Sequence, residues 1–197
     1  MKTAGIVLAA GASQRMGSPK ALLRGPDGVP LAARQAEVLR KGGCDPVSVV
    51  AGAHIAEIRA GLSSGLAVAE NPRWAQGRAT SVQTGLRACP DADGWLFLPV
   101  DAAGVKAETI RVILAAAEKE PQAIWRPVHQ GKKGNLLWVP RAAGPELLQL
   151  AADARVDAWA KPRARELEVD DPAILRNINT PEDWAAFLRR KSIPEAL

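Results

Sequence analysis

The feature that most constrains the fold is a repeated alternation: short, continuous apolar runs separated by stretches with helical periodicity. The run Trp95-Leu96-Phe97-Leu98-Pro99-Val100 is apolar on both parities. Such a strand must be covered on both faces, as in a parallel sheet sandwiched between helices. Comparable runs predict strands at 5–9, 47–51, 66–69, 95–100 and 123–127. Between them, Pro30 opens a helix that runs to Lys41 and stops at Gly42-Gly43. Over 106–119, Ile110, Ile113, Leu114 and Ala117 share one face of a second helix. The expectation is an α/β fold, a three-layer α/β/α sandwich with a mostly parallel sheet.

The second half is less regular. Gln130-Gly131-Lys132-Lys133-Gly134 reads as a turn between two strands, the second at 135–139, and so short a connection favours an antiparallel partner. Helices are expected at 143–153 and 156–160, and a short strand at 167–169. Thr180-Pro181 is a helix start, with Thr180 as N-cap, and Trp184, Phe187 and Leu188 share a face of that last helix. A single domain over 1–191 with a frayed tail at 192–197 follows from the length of 197 residues.

Composition narrows the function. Hydrophobic residues make up 47%, enough for a sizeable core. No apolar run reaches the length of a membrane span, and Met1–Gly5 lacks the parts of a signal peptide, so a cytoplasmic location is expected. The net charge of +5 is spread along the chain, and there is no tyrosine for base stacking. Nucleic acid is therefore not the expected partner. Cys44 and Cys89 follow no pattern, and with only two histidines a zinc site is not expected. Any metal would be a hard cation on oxygen ligands.

Ligands of open α/β sheets bind beyond the carboxyl ends of the strands. After the first strand, small residues at Ala9, Ala10, Gly11 and Ala12 allow close approach to the backbone, and Arg15 and Lys20 supply a forked and a compact cation for phosphate. The spacing is neither G-x-G-x-x-G nor a Walker loop. A structural turn with two surface cations remains open. Asp101 emerges at the same sheet edge and can hold Mg²⁺; equally, it can cap the helix starting near Lys106. Asn177 and Asn179 share strand parity, and amide oxygens can ligate a hard cation. Glu182 and Asp183 suit the first turn of the last helix. Between a strand and a helix, Ser81 can touch a nucleotide or cap the helix, and Gly85 within the helix points to close packing or ligand approach.

These segments resemble the MobA-like nucleotidyltransferases of molybdenum cofactor synthesis. LAAGxSxRMGxxK matches Leu8 to Lys20, NPxWxxGxxxSxxxGL matches Asn71 to Leu86, PVD matches Pro99-Val100-Asp101, and NINTPED matches Asn177 to Asp183. The resemblance implies a Rossmann-like fold of the nucleotide-diphospho-sugar transferase type. It implies a nucleoside triphosphate on Leu8, Ala9, Ala10, Gly11, Ser13, Arg15, Met16, Gly17 and Lys20, with Asn71, Ser81 and Gly85 beside it. Arg15, Lys20 and Asp101 would be catalytic, and Mg²⁺ would sit on Asp101 and Asn179. Ala9-Ala10-Gly11 follows the cytidylyl branch, favouring CTP over GTP. The implied acceptor is the phosphate of Mo-molybdopterin, with a molybdoenzyme as eventual partner. The chain departs from the family at Ala102-Ala103, at Asn135-Leu136 and at Asn177-Ile178-Asn179. These departures bear on the acceptor and on the charge around the metal. A sugar phosphate acceptor, or a non-catalytic binding role, stays open.

Overall fold

The computed structural model describes residues 1–62 and 64–191; the tail expected to fray lies outside them. The strands are β1 (Thr3–Ala9), β2 (Val47–Ala51), β3 (Ala67–Glu70), β4 (Gly94–Pro99), β5 (Ile124–His129), β6 (Lys132–Lys133), β7 (Leu137–Pro140) and β8 (Ala164–Glu168). The helices are α1 (Leu31–Lys41), α2 (Ile55–Gly61), α3 (Arg78–Ala88), α4 (Ala107–Lys119), α5 (Gly144–Gln149), α6 (Val156–Ala160) and α7 (Pro181–Lys191).

All strands join one curled sheet. β1 lies at its centre, parallel to β2 on one side and β4 on the other, and β3 extends the β2 side in parallel. β7 runs antiparallel between β4 and β5. β8 lines the opposite edge of β5 in parallel, and β6 folds back on β5 through a tight turn. That turn needs positive φ at Gln130 (50°) and Gly131 (71°), the geometry of a two-residue hairpin loop. This is the expected mixed sheet with an antiparallel strand.

The double-sided apolar character of the strands is used as predicted. Val7, Leu96 and Leu98 face one core with Leu39 of α1, Ile110 and Ile113 of α4, and Phe187 of α7. Ile6, Trp95 and Phe97 face the other with Val82 and Leu86 of α3, Leu147 of α5 and Trp159 of α6. In α7, Trp184 stacks on Phe187 at 5.3 Å. Cys44 and Cys89 are buried free thiols, and burial pushes Cys44 up to about 12. No helix among the described residues is long and apolar enough to cross a membrane.

Several boundaries differ from expectation. Pro30 is the residue before α1 rather than its first helical position: its backbone is extended, and its carbonyl accepts the first helical bond from the Arg34 amide at 3.0 Å. The helix expected over 143–153 ends at Gln149, because Gln83 of α3 donates to the carbonyls of Leu147, Leu148 and Leu150 and so satisfies that end. β8 begins three residues before the expected 167. Its Arg165 and Glu166 are exposed on an edge strand, so no apolar run marks its start. Residues 177–179 form no strand, so the parity expected to align Asn177 with Asn179 does not apply.

Candidate functional site

The chain reverses direction across the sheet at β1: β2 and β3 add to one side, β4 to the other. The crevice at such a switch point is the general ligand position of open α/β sheets. Here it is a cleft of about 460 Å³, walled by the segments after β1, β3 and β4.

The loop after β1 is held from behind through its carbonyls. Ala10 O accepts from the Ala53 amide at 3.1 Å, and Ala12 O contacts His54 Nε2 at 3.0 Å. In a planar trans peptide the C=O and the following N–H point in opposite directions. The amides of Gly11 and Ser13 therefore turn away from this anchorage, and both residues line the cleft. The amides of Gly11, Ala12, Ser13, Gln14 and Arg15 have no acceptor among the described residues. Backbone donors left unpaired in succession form an anion site. Ser13 (φ 52°) and Gly17 (φ 71°) adopt the left-handed conformation that curls the loop. Ser13 Oγ accepts from the Lys20 amide at 3.1 Å, closing the loop on itself.

Lys20 then reaches across the mouth of the cleft. Its Nζ donates to Asn179 Oδ1 at 2.8 Å and lies 3.7 Å from Asp101 Oδ2. The three residues come from distant parts of the chain and converge on one point. Asp101 does not cap the helix after it. Asp171, only 1% exposed, accepts from the Lys106 amide at 2.9 Å and from Thr109 Oγ1 at 2.6 Å. That leaves the Asp101 carboxylate facing the cleft.

The segment after β3 forms the far wall. Asn71 is buried; its Nδ2 donates to Thr80 Oγ1 (2.9 Å) and Ser81 Oγ (3.0 Å), and its Oδ1 accepts from the Arg73 amide (3.0 Å). This fixes the start of α3 so that Ser81 meets the cleft. Asn177 also lines the cleft, and its Oδ1 accepts from Asn135 Nδ2 at 3.0 Å.

Of the residues singled out from sequence, Leu8, Ala9, Ala10, Gly11, Ser13, Lys20, Ser81 and Asp101 line the cleft. Others do not. Arg15 is exposed, with no hydrogen-bond or ion-pair partner among the described residues. Met16 is buried in the core beneath the loop, and Gly17 supplies its left-handed turn. Asn71 acts behind the wall rather than on it. Gly85 does not line the cleft; a Cβ there would stand 2.7 Å from Ile6 Cγ2 and 3.4 Å from Phe97 Cε1, which favours the close-packing alternative, the glycine seating α3 on the sheet. Asn179 reaches the site through Lys20. Thr180 caps α7 as expected: its Oγ1 accepts from the Asp183 amide at 3.2 Å, and Asp183, in the first turn, reaches back so that its Oδ2 accepts from the Asn179 and Thr180 amides at 2.8 and 2.9 Å, bonds that hold its carboxyl below the usual range.

Among the cleft residues given no role from sequence are Arg78 and Trp74, the latter a fixed position of the quoted motif. Arg78 is the first residue of α3, where a cation opposes the helix dipole. That misplaced charge was a legible signal, since it suits an anion in the cleft. Trp74 packs on Gly52, where a Cβ would lie 2.5 Å from Trp74 Cβ and 2.8 Å from Ala10 O.

Solved structures with the same fold cover nearly the whole chain. Rv0371c from Mycobacterium tuberculosis H37Rv is 26% identical, with a TM-score of 0.80 over 96% of this chain and 98% of that one. A CMP:2-keto-3-deoxy-manno-octonic acid synthetase complexed with CTP is 12% identical, with a TM-score of 0.78 over 98% and 99%. Molybdopterin-guanine dinucleotide biosynthesis protein A from Archaeoglobus fulgidus is 18% identical, with a TM-score of 0.71 over 96% and 98%. No curated protein sequence matches the chain. Residues 5–169, which span the cleft's three walls and all but the last of its quoted motifs, match the MobA-like NTP transferase domain, and the chain belongs to that family.

Proposed function

We propose that the chain transfers CMP from CTP to the phosphate of Mo-molybdopterin and releases pyrophosphate. The observation that carries this reading is the loop of unpaired amides from Gly11 to Arg15, of which Gly11 and Ser13 line the switch-point cleft beside Lys20 and Asp101. Membership of a nucleotidyltransferase family supports the reaction class. The cytidine preference rests on Ala9-Ala10-Gly11, with the CTP-bound synthetase as a distant relative in fold. The acceptor rests on the motif resemblance, with the molybdopterin-guanine dinucleotide protein as a similar fold.

The donors present suit Mg²⁺. The Asp101 carboxylate and the Asn179 amide oxygen already converge on one cation, the Lys20 ammonium, and both are hard oxygen ligands. No group of three or more His, Cys, Asp or Glu side chains able to hold a metal occurs among the described residues, so Asp101 and Asn179 are the residues that would hold it. When bound, Mg²⁺ would neutralise charge on the transferring phosphoryl group.

The remaining work falls to the chain. The loop amides bind the phosphates, and Lys20 swings from Asn179 to offset the charge that develops on leaving pyrophosphate. Arg15 and Arg78 add positive charge at the two rims. An acceptor phosphate oxygen forms its bond to the α-phosphorus as the bond to pyrophosphate breaks. That oxygen is ionised at neutral pH, so no strong general base is needed. Catalysis rests on alignment and charge neutralisation. The reading takes the chain as one cytoplasmic domain serving a molybdoenzyme.

A second reading is favoured by one contact. Asn135 and Asn177 bond to each other at the cleft margin and bring no charge to the acceptor side; a non-catalytic carrier of nucleotide or cofactor would need none. Incubation with Mo-molybdopterin, Mg²⁺ and each triphosphate separately, followed by product analysis, tests both. The dinucleotide of cytosine is the expected product. Binding without turnover favours the carrier, and turnover only with a sugar phosphate moves the acceptor.

A further inference from the structure

His54 lies behind the loop, outside every motif that suggested the site. Its Nε2 is 3.0 Å from Ala12 O and its Nδ1 is 2.9 Å from Glu57 Oε1. A carbonyl and an ionised carboxylate are both acceptors, so the ring meets both only with a proton on each nitrogen. The neutral ring can serve one of them. The carbonyl it holds is the one whose partner amide, that of Ser13, faces the cleft. We propose that His54, as an imidazolium strung between Glu57 and Ala12, is a positioning residue that holds the anion-binding loop in its binding conformation and makes triphosphate affinity fall with rising pH. This deepens the nucleotidyl-transfer reading and rests on it for the ligand alone.

On α2, Glu57 faces the ring, while Arg59 is paired with Glu70 of β3 at 3.2 Å. On the loop, Lys20 is turned to Asn179 and Asp101, and Arg15 points to solvent. On the segment after β3, Arg73 is bonded to Gln76 at 2.9 Å. None of these cations is directed at the ring. The Ala12 carbonyl first, then Glu57, raises the His54 pKa above its ordinary value. The clamp is therefore complete below about 6.5, the unperturbed value, and is lost as pH rises through the raised pKa. By linkage, a triphosphate that binds the clamped loop raises that pKa further.

The test begins without nucleotide. The protein has only two histidines, so a His129→Gln background leaves His54 as the lone imidazole in an NMR titration, with the amide shifts of Gly11 and Ser13 followed in parallel. Those shifts are expected to titrate with His54, and to be flat in His54→Gln. Affinity for CTP with Mg²⁺ is then measured across pH 6–9 by calorimetry, as the ratio of wild type to His54→Gln. The ratio cancels the titration of the nucleotide's own phosphate. Gln can donate to Ala12 O at every pH. The ratio is expected to favour wild type at low pH and to fall about five-fold as the imidazole is neutralised, the equivalent of one hydrogen bond of about 1 kcal/mol. Loop shifts that ignore the His54 titration, or a ratio independent of pH, overturn the proposal. Loop shifts that follow His54 while no triphosphate binds at any pH uphold the clamp on the loop but overturn its link to affinity; they contradict the nucleotidyl-transfer reading as well.

Discussion

Asn71→Ala tests how the wall after β3 is built. The side chain is 1% exposed and makes three hydrogen bonds of 2.9–3.0 Å, to Thr80, Ser81 and the Arg73 amide. At about 1 kcal/mol each, their loss should cost about 3 kcal/mol of stability. A double-mutant cycle apportions it. Ser81→Ala alone removes one bond, at about 1 kcal/mol, and the double variant should lose about 1 kcal/mol less than the sum of the singles. Urea unfolding with linear extrapolation reads these differences directly. Because Ser81 meets the cleft only as α3 is held by Asn71, triphosphate affinity should fall in Asn71→Ala as well. A loss well under 1 kcal/mol, or strict additivity with Ser81→Ala, would refute the idea that Asn71 organises this wall.

Gly85→Ala should destabilise by about 1–3 kcal/mol through overpacking against Ile6, with triphosphate affinity per folded molecule unchanged; a selective loss of affinity would return Gly85 to the binding site. Lys20→Ala and Arg15→Ala should weaken triphosphate binding in calorimetry, Lys20→Ala by more because it alone contacts both Asp101 and Asn179; unchanged affinity in both would sink the phosphate-loop reading. Asp183, whose carboxyl is depressed first by the Asn179 amide and then by that of Thr180, stabilises the fold above the ordinary carboxylate range. That stabilisation should fade as pH falls through the depressed value, so Asp183→Asn should flatten the acid limb of stability against pH. An unchanged acid limb would remove Asp183 from the cap.

Much of this was readable from the chain. The double-sided runs at β1, β2 and β4 could only be central strands, and the order of apolar and helical segments dictated the parallel half of the sheet. The turn at Gln130-Gly131 announced an antiparallel partner, but not that β7 would insert between β4 and β5. That depends on long-range pairing, which no local pattern encodes. The loop after β1 was legible because small residues and two cations at a strand end have few structural uses. Gly85 stays open in sequence because a glycine that admits a ligand and one that admits a neighbouring Ile look alike there. His54 was overlooked because its role exists only where Ala12, 42 positions away, turns its carbonyl toward α2. The cap role open to Asp101 falls away because Asp171, far along the chain, ties down the start of α4 at the Lys106 amide and the Thr109 hydroxyl.

In the proposed reaction the loop amides, Lys20 and Asp101 together carry nucleotidyl transfer. Pyrophosphate release from CTP in the presence of Mg²⁺ and Mo-molybdopterin, compared between wild type and Asp101→Ala at equal folded concentration, tests it most directly. Release by the wild type that is abolished in Asp101→Ala is the predicted result. Release by Asp101→Ala at the wild-type rate would contradict the account.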